Sequence, residues 1–198
     1  MKENKSTKII GKNVIFIPYK ENHVLRYHEW MKSEELQQLT ASEPLTLEDE
    51  YKMQKSWFED EDKCTFIILN KSLYEETLNE IDAMIGDINL FFNDANCNKN
   101  AEIEIMIAET CHRGKGYGWE SAILMLRYGI ENLNVIKYLA KISISNEKSI
   151  NMFRKLGFEE VSRSDIFKEF TLQKVVDFEW IKWLQNQTPN MIKDENYK

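Results

Sequence analysis

Cysteine, histidine and positive charge are all scarce in this chain. Its three cysteines, Cys64, Cys97 and Cys111, form an odd set with no CxxC spacing. They suggest neither a disulfide framework nor a zinc site, and point to free thiols in a reducing compartment. Three histidines do not rescue a metal centre, because His23 and His28 lie five apart and share no helical face. No metal is expected. Basic residues number 26 against 33 acidic ones, a net charge of −7, which argues against the basic stripes that nucleic acid requires. The negative balance favours an amine-bearing or cationic ligand. No apolar run reaches the roughly 20 residues of a membrane span. The N-terminal MKENKSTK lacks the apolar core of a signal peptide. No repeat or Pro/Gly/Ser linker interrupts the chain. A cytoplasmic protein follows, with neither nucleic acid nor membrane as partner.

What is present suffices for one core: 198 residues, 42% hydrophobic and 12% aromatic. NVIFIP (Asn13–Pro18) reads as a strand. Val24, Leu25, His28 and Met31 recur at helical spacing, and Thr46 with Asp49 makes a capping box for a second helix. Cys64–Leu69, Met84–Phe92 and Glu102–Ala108 are strand candidates. Asn70–Asp82 reads as a long loop or insertion and Asn93–Asn100 as a hairpin connection. Trp119, Ile123, Leu126, Ile130 and Leu133 predict an amphipathic helix. A strand at about Ile136–Ile144, a short helix ended by Gly157, and two closing strands complete a mixed α/β sheet. The segment Phe178–Leu184 predicts a helix docked on the domain, with disorder from about Thr188.

Between the third of these strand candidates and the amphipathic helix lies CHRGKGYG, Cys111–Gly118. A Walker loop requires Ser or Thr after its lysine, but Gly116 follows Lys115. A dinucleotide fingerprint requires GxGxxG, whereas Gly114, Gly116 and Gly118 are spaced GxGxG. Both nucleotide labels fail, yet glycines permit positive φ, so successive N–H groups can converge on an anion. The helix N-terminus behind them favours phosphate, and Arg113 and Lys115 add fixed charge.

Arg113–Gly118 resembles the R/Q-x-x-G-x-G/A signature of the GNAT acetyltransferases. Asn146, Ser149, Phe153 and KLGF (Lys155–Phe158) are similar to the unit that follows that signature. PYKENHVLRYHEWMKSEELQQLTASEPLTLEDEY (Pro18–Tyr51), KCTFIIL and IGDINLFF resemble the N-acetyltransferase 9-like family, and the likeness runs from about Gly11 to Gln173. It implies a GNAT fold: a mixed sheet of about seven strands, splayed between the fourth and fifth, with flanking helices. Residues 1–176 would form the acetyltransferase domain, and 177–198 a docking helix and disordered tail.

The resemblance further implies acetyl-CoA as co-substrate. Its pantetheine arm would pair with backbone at Met106 and Ile107, and its diphosphate would rest on Arg113, Gly114, Lys115, Gly116, Tyr117 and Gly118. Asn146 would touch the coenzyme or cap the next helix. Alternation puts Glu102 and Glu104 on one face of the fourth strand, where either can accept a proton. Glu102 stands at the family's usual distance for a base. The family's tyrosine acid is replaced by Phe153, a core residue by its spacing. Tyr117 and Tyr128 are the alternative acids, the first placed beside the diphosphate and the second on the helix surface. The implied acceptor is a protein N-terminal amine, with tubulin named by the family, and Glu43 in TASEP (Thr40–Pro44) is a candidate acceptor contact. A rival reading keeps the fold but works by docking on a partner such as a microtubule.

Overall fold

Val14–Pro18 is buried at every position, and so is Met84–Phe91, as expected of strands covered on both faces. In the computed structural model, which describes residues 4–92 and 99–197, these strands lie inside one nine-stranded sheet. The strands are β1 (Lys8–Ile10), β2 (Val14–Pro18), β3 (Lys63–Asn70), β4 (Met84–Phe91), β5 (Asn100–Ile107), β6 (Lys137–Ser143), β7 (Glu159–Ser164), β8 (Glu169–Val175) and β9 (Ile192–Asp194). The helices are α1 (Val24–Met31), α2 (Glu34–Thr40), α3 (Leu47–Glu59), α4 (Lys71–Thr77), α5 (Glu80–Ala83), α6 (Tyr117–Leu133), α7 (Glu147–Lys155) and α8 (Phe178–Gln187). The sheet order is β7-β8-β6-β5-β4-β3-β2-β1-β9. β5 and β6 are its parallel pair, and the other neighbours are antiparallel.

That parallel pair positions the site. β5 meets β6 at Asn100↔Lys137, Ala101↔Tyr138 and Glu102↔Leu139, and then the strands part. β5 continues to Ile107 along β4, while β6 continues to Ser143 along β8. The divergence opens a gap in the middle of the sheet. The expected splay of the fourth and fifth strands is therefore present, renumbered by one because β1 precedes them.

A core lies on each face of the sheet. On one, α6 packs against β2, β4 and β5, and α8 packs against α6; Ile103, Leu126, Phe153 and Trp180 belong to this core. On the other, Tyr19, Tyr27, Trp30, Leu36 and Met106 cluster under α1 and α2. Because α6 is covered by the sheet and by α8, Ser121–Leu126 is buried without a break. Tyr128, expected on the helix surface, is buried edge-on to Phe66 with 5.4 Å between ring centroids.

Two other expectations change. The stretch expected as a long loop or insertion, Asn70–Asp82, is no loop: it holds α4 and most of α5, whose N-termini are capped by Asn70 and Asn79. The tail expected to be disordered instead reaches β9, which pairs with β1, and Tyr197 N–H donates to Ser6 O at 2.9 Å. Most of the Asn93–Asn100 hairpin connection lies outside the described residues.

Candidate active site

The end of β5 departs from regular sheet geometry. A Cβ added to Gly86 would lie 1.9 Å from Met106 O. Only glycine therefore lets the Met106 carbonyl swing over β4. In a trans peptide the N–H opposes the C=O, so Ile107 N–H is directed away from β4, towards the gap. Arg113 braces this bend: its Nε donates to Ile107 O at 2.8 Å and its Nη2 to Ala108 O at 3.2 Å. Nη1 donates to Glu35 at 2.9 Å. The Arg113 side chain, expected to add charge for a diphosphate, is instead occupied in holding the end of β5.

A groove of about 680 Å³ opens beside that bend. Its walls include Ile105–Ile107 of β5, Arg113, Gly114, Gly116, Gly118 and Trp119 at the start of α6, and Asn146–Ser149 at the start of α7. Gly114 and Gly116 have φ of +72° and +88°, and both face open space. Backbone conformation is thus the reason for glycine at these two positions. Gly116 is the N-cap of the 17-residue α6, with no side-chain cap, so the first N–H groups of that helix are left for an anion. Lys115 is exposed beside them, and Lys148 lines the groove. His112 also lines it; burial, then Lys115, lowers its pKa, which favours the neutral ring. Tyr117 OH accepts from Asn70 Nδ2 at 2.9 Å. Asn146 caps α7, its Oδ1 accepting from Ser149 N–H at 3.1 Å. An uncapped helix start, positive-φ glycines and nearby cations fit a diphosphate, and the open edge of β5 fits an extended amide-bearing arm.

A second cleft, of about 390 Å³, meets the groove through the gap; Leu39, Thr40, Ile105, Met106, Asn146 and Ser149 line both. Carboxylates line its floor. Glu102 is 14% exposed and accepts from Lys141 Nζ at 2.8 Å. Glu104 is open to solvent but has protein on most sides. Desolvation by that surrounding protein raises its pKa to about 7, and the charges of Glu102 and Asp87 push the same way. Asp87 on β4 is buried, which raises its pKa to about 7 against an Asn89 hydrogen bond that lowers it. Thus the structure brings Glu102 and Glu104 together, as alternation predicts, but gives them different surroundings. Glu102 is ion-paired; Glu104 is poised to exchange a proton near neutrality.

Glu43 does not join the cleft. Thr40, Ala41 and Ser42 line it, while Glu43 is exposed beyond them. Phe153 is 2% exposed and packs edge-on to Phe158, as its spacing predicts. The residues missed from the sequence are Asp87, Asn89, Tyr27, Lys141 and Lys148. Asp87 and Asn89 carried a signal, since they place two polar side chains at i and i+2 of an otherwise apolar strand.

A groove walled by a glycine turn and an uncapped helix start thus meets a carboxylate-lined cleft at splayed strands. Residues 13–159 match the family described as "Acetyltransferase (GNAT) domain". The chain is 52% identical to an N-acetyltransferase 9-like protein of Nematostella vectensis over 174 residues, 87% of this chain and 88% of that one. It is 49% identical to alpha/beta-tubulin-N-acetyltransferase 9 of Homo sapiens, across 100% of this chain and 97% of that one. Among solved structures, spermidine N-acetyltransferase from Vibrio cholerae in complex with CoA and spermine superposes with a TM-score of 0.67 at 15% identity, covering 87% of this chain and 96% of that one. The chain belongs to the GNAT acetyltransferases, and within them to the N-acetyltransferase 9-like proteins. It is an acetyltransferase.

Proposed function

We propose that this acetyltransferase moves an acetyl group from acetyl-CoA directly to the α-amine of a protein N-terminus, and that the acceptors are tubulin chains. The observation that carries the reading is the meeting of the two cavities at the β5/β6 gap: phosphate-binding geometry lies on one side and a proton acceptor on the other. The tubulin assignment rests on the names of the relatives.

When bound, acetyl-CoA supplies an acetyl group activated as a thioester. The backbone N–H groups of the α6 start and the glycine turn hold its diphosphate, with Lys115 and Lys148 alongside. The open edge of β5 from Ile105 to Ile107, which includes the expected Met106 and Ile107, holds the pantetheine arm. Glu104 takes one proton from the acceptor ammonium, leaving a neutral amine to attack. Ile107 N–H faces the carbonyl oxygen as negative charge grows there. The C–N bond forms, the C–S bond breaks, and the second proton of the nitrogen neutralises the departing sulfur. A thiol titrates at about 8.5, so this departure proceeds without the tyrosine that Phe153 replaces.

Deprotonation separates the acceptor classes. An α-amine titrates at about 7.7–8.0 and a lysine at about 10.4, a difference of roughly 3.4 kcal/mol. A base at about 7 is matched to the first. The test compares thiol release from acetyl-CoA with two peptides: one with a free N-terminal Met-Arg and no lysine, the other N-blocked with an internal lysine. Release with the free N-terminus alone supports the reading. Release with the lysine peptide alone refutes the acceptor assignment, and silence with both refutes the activity.

A further inference from the structure

Two buried oxygens in the second cleft have no hydrogen-bond partner among the described residues: Asp87 Oδ1 and Asn89 Oδ1. Both side chains line the cleft, and their residues are 3% and 4% exposed. Asn89 Nδ2 donates to Asp87 Oδ2 at 2.8 Å, which fixes the amide so that its Oδ1 can only accept. Cross-strand register completes the group: Asn89 stands opposite Glu104, and Asp87 opposite Met106, two residues further along β5. Asp87 and Glu104 are therefore diagonal neighbours on one face, about 7 Å apart at the backbone.

The surrounding charges do not supply the missing donors. Lys141 on β6 is bound to Glu102. Lys63 on β3 lies near Asp60 and over the rings of Trp57 and Phe91. The remaining titratable groups around the site are Tyr19 after β2, Tyr27 on α1, Glu50 on α3 and Glu169 on β8. The Tyr27 hydroxyl hydrogen-bonds the Asp87 carboxyl and lowers its pKa, while Asp87 Oδ1 is left without a partner. Asp87 Oδ1 and Asn89 Oδ1 thus stay without a donor, and orphaned acceptors at this depth are costly.

We propose that Asp87 Oδ1, Asn89 Oδ1 and the Glu104 carboxylate form a seat for a primary ammonium, one acceptor for each of its three N–H bonds. The inference rests on the proposed amine-acetylating function and adds to it. The cleft takes the acceptor as its cation, Asp87 and Asn89 orient it, and Glu104 then removes a proton. It favours primary ammonium over N-methylated groups, which have fewer N–H bonds to share. Burial of Asp87, and the protein and carboxylate charges around the exposed Glu104, raise both pKa values to about 7, so entry of the cation displaces protons to solvent.

The test is calorimetric binding without acetyl-CoA, so it does not depend on turnover. The probes are a short peptide amide with a free N-terminal methionine and its Nα-trimethyl form. For the unaltered protein, the free amine is expected to bind at least tenfold more tightly. At pH 6.5, paired buffers of different ionisation enthalpy should report release of at least half a proton. Asp87→Asn and Asn89→Ala, each confirmed as folded by its melting curve, should reduce the discrimination below threefold. Equal binding of the two probes, or no proton release, overturns the proposal without help from any variant. Discrimination kept in both variants assigns it to bulk alone, makes the two oxygens water sites, and also overturns it. A protein that discriminates as expected but transfers no acetyl group would retain the seat and lose the proposed activity.

Discussion

Gly86→Ala separates the geometry of the β5 bend from general packing. The new Cβ would sit 1.9 Å from Met106 O and 3.0 Å from Met106 C, both backbone atoms that cannot rotate away. β4 and β5 must part locally, at a cost of about 2–3 kcal/mol on the scale of overpacked cores. For a chain of this length that lowers the melting temperature by roughly 4–12 °C. The bend also directs Ile107 N–H into the gap, and misplacing one such donor costs about 10²–10³ in kcat. Gly129→Ala is the matched control. Its Cβ would lie 2.3 Å from Tyr138 OH, displacing the buried bond from Tyr138 OH to Leu126 O at 2.7 Å. Losing that bond costs about 1–3 kcal/mol, and replacing glycine within α6 returns about 1 kcal/mol. Thiol-release kinetics of the two variants should therefore diverge: Gly129→Ala loses about 0–2 kcal/mol and keeps kcat, whereas Gly86→Ala loses kcat by 100-fold or more. A Gly86→Ala protein that melts within 2 °C of the parent with unchanged kcat would refute the geometric reasoning.

Asp87 provides a stability test of the opposite sign. It binds its proton more tightly folded than unfolded, so its contribution is full below about pH 4 and is lost as pH rises through about 7. The loss is ~4 kcal/mol at order of magnitude. Asp87→Asn should match the parent near pH 4 and melt higher at pH 8.5; a lower melting point at both would contradict the assignment. Arg113→Lys keeps the charge but not the fork that holds Ile107 O and Ala108 O. A loss of about 1–2 kcal/mol and a raised KM for acetyl-CoA are expected from melting and kinetics. Gly116→Ala meets no atom within 4 Å but must hold φ at +88°. Strain of about 1–2 kcal/mol should raise the KM for acetyl-CoA and leave that of the acceptor unchanged.

Much of this arrangement was legible because local signals and global packing agree. The steps of three and four from Trp119 to Leu133 mark α6, and three glycines before them mark its unusual start. The features that escaped depend on contacts distant in sequence. β1 and β9 are three residues each, too short for alternation to register, and β9 exists through pairing with β1 more than 180 residues away. α4 and α5 carry no long apolar stripe and are held by asparagine caps. Tyr128 read as exposed because periodicity assumes one buried face, whereas α6 has the sheet on one side and α8 on the other. In the site, Glu102 and Glu104 look equivalent along the strand, and only β6 distinguishes them, by bringing Lys141 to the first. Arg113 matches a phosphate-binding signature, yet its reach back to the β5 carbonyls cannot be read from spacing.

Glu104, in the second cleft beside the β5/β6 gap, is the proposed proton acceptor for amine acetylation. The most direct measurement is kcat/KM for a free N-terminal peptide with Glu104→Gln and Glu102→Gln, followed from pH 6 to 9. Glu104→Gln should lose about 10²–10⁴ in kcat/KM, together with the acidic limb near pH 7. Glu102→Gln should cost less than tenfold and keep that limb. Equal losses in the two variants, or an acidic limb that survives Glu104→Gln, would contradict it.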